Sequence, residues 1–182
     1  TKKEILNKAI NERKKFSLKA LKALKVKNYH FYDLPCGKFD QIPILKIAKI
    51  IEKEIINFKP NTIFTHSETD VHIDHQRVFQ ATLQATRPSL EFNVESVMSF
   101  EILSATEKNF TKEFLPNYFV QISQESLKKK LAAMKCYKSE FKKYPFSRSL
   151  TSIKNLAMYR GAQSGNIFAE AFRIIRLIKK IK

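Results

Sequence analysis

The 182-residue chain has single-domain length, is 43% hydrophobic, and holds only three Gly and six Pro, which excludes a collagenous, linker-like or disordered polypeptide. Lys and Arg outnumber Asp and Glu by 34 to 17, and the formal charge of +17 either attracts anions (nucleic acid, acidic headgroups, phosphorylated small molecules) or simply solvates helix faces. Cys36 and Cys136 form no CxxC pair, so neither a disulfide framework nor a cysteine zinc site is implied; free thiols in a reducing cytoplasm are the expectation. No apolar run reaches membrane-spanning length, and no signal peptide opens the chain.

In chain order, residues 3–25 read as a basic helix with Phe16, Ala20, Ala23 and Leu24 on one face. The aromatic segment 28–35 reads as a short strand ending at Pro35. Residues 41–58 are the cleanest helix: Ile44, Ile47, Ala48, Ile51, Ile55 and Phe58 make one apolar stripe opposite Lys and Glu. A turn and a buried strand follow at 59–66, and then a helix at 75–87 closed by Arg87-Pro88. Strands are expected at 95–103 and 117–123. Residues 124–143 read as a helix burying Leu127, Leu131, Met134, Tyr137 and Phe141, and two more helices are expected at 149–160 and 166–181. Strands alternating with helices predict an α/β fold with parallel strands, whose ligands sit at the carboxyl ends of those strands.

That is where the most unusual stretch lies. "THSETDVHIDHQRV", residues 65–78, holds three of the four histidines and three acidic residues. Near a helix start, positions three apart face the same way, which brings His72 and His75 toward one pocket. Asp74 falls where a helix N-cap would. The group reads either as a metal ligand with its orienting carboxylate or as plain helix capping; two histidines alone do not make a zinc site, and no HExxH occurs.

Longer segments carry a resemblance. "KPNTIFTHSETDVHIDHQRVFQATLQATRP" resembles the second motif of the PIG-L/LmbE superfamily of zinc-dependent sugar N-deacetylases: a strand, a Thr-His pair, Asp-His opening a helix, and Arg-Pro closing it. "SVMSFEILSATE", "NYFVQIS", "LKKKLAAMKCYKSE" and "YRGAQSGNIFAEAFRIIR" resemble the motifs that follow, in order, across nearly the whole chain. The resemblance implies a Rossmann-like, mostly parallel sheet with flanking helices in a single domain over 1–182. It implies Zn²⁺, or another divalent metal, with His75 as a ligand. His72 matches a histidine that polarises the amide carbonyl or stabilises the oxyanion, and Asp74 a carboxylate that orients its neighbours. The implied reaction is hydrolysis of an acetamido group on a small N-acetylated sugar, such as a glycoside, a nucleotide sugar or a lipid-linked sugar.

The family's other two ligands and its general base lie in a His-Pro-Asp-Asp-Glu motif that this sequence does not contain. The expectation is therefore that Thr1 is not the natural start and that the first strand–helix–strand unit is missing; the alternative is a degenerate or complementing subunit. Gln76 stands where many members have Arg, and Lys38 replaces an Arg common in the substrate loop. Lys38 is thus a candidate phosphate contact and Arg87 a candidate substrate contact. His66 is expected to pack behind the site rather than ligate, and Arg160 and Glu170 to pair and so fix the C-terminal helices. The competing reading is a non-catalytic protein that binds an anionic glycan or nucleic acid through its basic surface. No interleaved aromatic–Arg cluster stands out to support nucleic acid.

Overall fold

The computed structural model describes residues 2–89 and 93–179. The chain forms two compact units, residues 33–119 with 171–182, and residues 1–32 with 120–170. Among the described residues there are five α-helices and four strands, an α/β architecture as expected.

The first unit holds α2 (Ile44–Phe58), β1 (Thr62–His66), α3 (Ile73–Ala85) and β2 (Ser96–Phe100). Its core is the stripe read from the sequence: Ile47, Ala48 and Ile55 of α2 meet Ala81 and Ala85 of α3 and Val94 and Val97 at β2. Small alanines on α3 let the isoleucines of α2 approach closely, and burying each isoleucine contributes about 1.5–3 kcal/mol. Phe58 departs from expectation, lying 67% exposed. At Lys59 the backbone turns left-handed (φ 50°), its N–H closes on the Ile55 carbonyl, and Pro60 forbids further helix. The chain is thereby released into β1.

β1 pairs in parallel with β2, from Thr62 opposite Ser96 to His66 opposite Phe100. The sheet order is β1-β2-β4-β3, where β3 is Tyr118–Gln121 and β4 is Ala169–Leu177. β4 runs antiparallel to β2, with a register shift at Val97/Met98. This corrects the helix expected over 166–181, of which 180–181 lie outside the described residues. Burial of Ala169 and Ala171, with Glu170 and Phe172 less so, shows the period of two that "FAEAF" conceals, and Ile174 and Ile175 favour extended backbone. Arg176 of β4 donates to the Thr86 and Val94 carbonyls (2.5 and 3.4 Å), satisfying one backbone acceptor at the end of α3 and one just ahead of β2. A buried hydroxyl pair, Thr65 and Thr82 at 3.0 Å, ties β1 to α3. Segment 28–35 forms no strand, and Tyr29, Phe31 and Tyr32 stay roughly half exposed.

The second unit holds α1 (Lys2–Ala23), α4 (Gln124–Lys135) and α5 (Leu150–Gln163). Phe16 and Ala20 of α1 are buried as read, and the Tyr137 ring meets Phe16 edge-on while its hydroxyl donates to Ser17 Oγ at 3.1 Å. α4 ends at Lys135 rather than 143, and turns carry Tyr137 and Phe141 instead. Ser123 and Ser149 cap α4 and α5, each accepting from the N–H three residues on at 3.1 Å. α5 ends in a Schellman motif: Asn166 N–H reaches the Gly161 carbonyl (2.8 Å), Gly165 N–H reaches that of Ala162 (3.4 Å), and Gly165 takes φ +70°.

A histidine–carboxylate cluster at the end of strand β1

The site is built on the seven residues from His66, the last of β1, to His72, the N-cap of α3. Asp70 organises it and is fully buried. Its Oδ1 accepts the His72 N–H at 2.9 Å, and its Oδ2 meets His75 Nδ1 at 2.8 Å and the Thr106 hydroxyl at 3.5 Å. The loop around it is fastened from outside: Asn109 Nδ2 donates to the Thr69 carbonyl (2.8 Å), and Gln76 Nε2 to that of Asp70 (2.6 Å).

The three rings form a column. His66 stacks on His75 (centroids 4.0 Å, 4° between planes), and His75 on His72 (4.6 Å, 21°). The two histidines expected to converge therefore do so. Their hydrogen bonds set opposite tautomers. The Asp70 carboxylate accepts only, so in its neutral form His75 carries its proton on Nδ1 and keeps a lone pair on Nε2. His72 Nδ1 accepts the Asp74 N–H at 3.2 Å, so in its neutral form the proton sits on Nε2, as a donor. One ring thus offers a lone pair and its neighbour an N–H.

Asp74 is buried but does not occupy the N-cap; His72 does, and Asp74 lies in the first turn of α3. Its carboxylate instead accepts Gly37 N–H (2.5 Å) and Phe39 N–H (3.0 Å), pinning the segment around Lys38 to the helix start. Lys38 is exposed there, beside the cluster. Arg87 is not brought to it. That residue lies beyond the far end of α3, with Nε on the Gln84 carbonyl at 3.3 Å, and twelve residues of helical rise from His75 span about 18 Å.

Asp70 went without a role in the sequence reading, although its spacing to His72, two residues on, is that of an Asx turn. Opposed effects act on it: burial raises its pKa, but the hydrogen bonds from His75 and the His72 N–H outweigh this, and the carboxyl stays below its ordinary value. His66 is pushed down from 6.5 to about 4, first by burial and then by the neighbouring His75, with Asp70 opposing. Its Nδ1 is buried without a hydrogen-bond partner among the described residues. An unfolded chain takes up a proton near pH 6.5 that the folded His66 refuses until about 4, so folding stability decreases as pH falls through that window. The urea midpoint is expected to drop between pH 7 and pH 5, with a shallower drop in His66→Phe. Equal drops in both proteins would remove His66 as the cause.

His66, Asp70 and His75 offer ligand atoms lying within 4.8 Å of one another. The free lone pair of His75 is the donor a divalent metal requires, whereas His66, stacked parallel on that ring at 4.0 Å, cannot aim an in-plane lone pair at the same ion and packs behind it; His75 therefore fits as one ligand of a site whose other donors come from elsewhere.

Residues 2–86, a span that contains this cluster, match the family model PIG-L: GlcNAc-PI de-N-acetylase. No curated protein matches the chain. Among solved structures, the conserved protein TT1542 from Thermus thermophilus is similar at 20% identity and TM-score 0.75, over 94% of this chain and 76% of that one. The N,N'-diacetylchitobiose deacetylase from Pyrococcus horikoshii, complexed with its inhibitor MPG, is similar at 18% identity and TM-score 0.68, over 91% and 63% of the two chains. The zinc-inhibited form of teicoplanin deacetylase Orf2 is similar at 19% and 0.66, over 91% and 74%. At these identities the likeness shows a shared fold.

Proposed function

We propose that this PIG-L-like chain carries the histidine half of a metal-dependent N-deacetylase, one that hydrolyses the acetamido group of a small N-acetylated sugar to a free amine and acetate. The observation that carries the reading is the pair of hydrogen bonds, His75 Nδ1 to the Asp70 carboxylate and the Asp74 N–H to His72 Nδ1, which favour opposite tautomers of the two neutral rings. Amide hydrolysis needs both functions side by side: a ligand for an electrophilic metal and a donor for the oxygen that gains charge. The deacetylase names carried by similar folds and by the family model point the same way.

His75 would hold the metal through Nε2, and the buried Asp70 keeps that ring in the correct tautomer and orientation. A divalent metal bound there supplies Lewis acidity, acidifying water and drawing charge from a carbonyl. His72 donates through Nε2–H to the acetamide oxygen, and this bond strengthens as the oxygen becomes anionic. Asp74 holds the loop bearing Lys38, whose exposed ammonium meets an anionic group on the substrate. The net charge of +17 favours phosphorylated sugars in the encounter. The further ligands and the general base belong, by the family pattern, to a His-Pro-Asp-Asp-Glu segment, which does not occur within residues 1–182.

The test is release of acetate from N-acetylglucosaminides, nucleotide sugars and N-acetylglucosaminyl phosphatidylinositol by the full-length protein. Turnover is expected with at least one class, lost on chelation and restored by zinc or cobalt. A metal-replete protein that turns over none of them, yet binds an anionic glycan, would replace this reading with the non-catalytic one.

A further inference from the structure

Cys36 is exposed on a turn in which Lys38 N–H reaches the Pro35 carbonyl at 3.3 Å and Gly37 adopts φ +73°. Beside it lie His72 and Asp74, and one ligand atom from each of the three falls within 4.8 Å of the other two. None of the three belongs to the His66–Asp70–His75 group. The thiol is not loosely placed: the two N–H groups on Asp74 come from Gly37 and Phe39, the first of them directly after Cys36. The same buried carboxylate is thus a prospective ligand and the anchor of the segment that presents the sulfur.

We propose that Cys36, His72 and Asp74 form a second divalent-cation site, one that takes a thiophilic metal such as zinc and, when filled, withdraws His72 from the substrate. Three protein donors and an open position suit zinc. A thiolate and a carboxylate together neutralise the two positive charges, and the sulfur selects zinc, cobalt or cadmium over magnesium or calcium. On binding, the Cys36 thiol loses its proton to solvent. The imidazole ligates through Nε2 and its proton moves to Nδ1, which removes the outward donor and, because a protonated Nδ1 no longer accepts, also releases the Asp74 N–H that caps the helix. The effect on His72 rests on the deacetylase reading; the existence of the site does not.

Cobalt(II) alone is a sufficient probe of the site. Titrated into the reduced protein, it is expected to produce a near-ultraviolet thiolate-to-cobalt charge-transfer absorption in the wild type and in Cys136→Ser. The absorption is expected to be lost in Cys36→Ser and in His72→Gln. In the Cys136→Ser background, zinc is expected to slow thiol modification of Cys36 at least about tenfold. Absence of the absorption in wild type, its persistence in Cys36→Ser, or unchanged thiol reactivity with zinc would each overturn the site. With activity in hand, excess zinc is expected to inhibit wild type, and Cys36→Ser to need at least about tenfold more for the same inhibition at unchanged basal rate. Equal inhibition of both would overturn the withdrawal of His72. A protein without deacetylase activity leaves the cobalt and thiol results fully decisive, so failure of the deacetylase reading is separable from failure of this one.

Discussion

His75→Ala is expected to lower kcat/KM for deacetylation by at least about 10³-fold, equivalent to ~4 kcal/mol of transition-state stabilisation, and to abolish the metal bound through that ring. The geometry makes His75 irreplaceable in kind. Its Nδ1 is committed to Asp70 at 2.8 Å, and its remaining nitrogen is the lone pair that the cluster holds ready. The alanine variant also strips a partner from a fully buried carboxylate, so lost activity by itself does not separate chemistry from folding. His75→Gln makes that separation, since its amide can still donate to Asp70 but ligates zinc poorly. The glutamine variant is expected to fold like wild type by circular dichroism and urea titration, and to be as inactive as the alanine variant. Asp70→Asn, which keeps the shape of the side chain but weakens its hold on the His75 ring, the His72 N–H and the Thr106 hydroxyl, is expected to lose about 10–100-fold. A glutamine variant that keeps its metal and a wild-type rate would remove His75 from the reaction.

The largest expected effect on stability lies elsewhere, at Gly161. A Cβ there would come within 2.6 Å of the Asn166 carbonyl oxygen and 2.7 and 2.8 Å of the Ile167 carbonyl oxygen and carbon. All three are backbone atoms, and the Schellman closure brings them back over the last turn of α5, so no side chain can rotate aside. Gly161→Ala is expected to destabilise the protein by about 3 kcal/mol, read as a lower urea midpoint at unchanged slope. Gly165→Ala is the informative comparison. It has open space around its Cβ but φ +70°, so it carries only the left-handed backbone penalty of about 1 kcal/mol. Should Gly161→Ala prove no worse than Gly165→Ala, close approach would not be what keeps glycine at 161.

What could be read in advance was what local periodicity and local spacing encode. The α2 stripe appears in the core with Ile47, Ala48 and Ile55, and the spacing of His72 and His75 put their rings together. The misreadings were of two kinds. Over 166–181 the period was mistaken, because alanines suit a helix when their alternation is short and the neighbouring strand is remote in sequence. Over 28–35 aromatic content suggested a strand, but a strand requires a partner, and none pairs with these residues among those described. The site divides in the same way. His72, Asp74 and His75 are legible within four residues, whereas the approach of Cys36 to His72 joins positions 36 apart and has no local signature.

The attachment of residues 37 and 39 to Asp74 has a bearing on how this protein diversifies. The backbone on either side of position 38 is held by a group that does not depend on what side chain stands there, and that side chain faces solvent. The charge that this loop presents to solvent can therefore change at position 38 by single replacements, from lysine to a neutral or acidic residue, while the scaffold beneath remains in register.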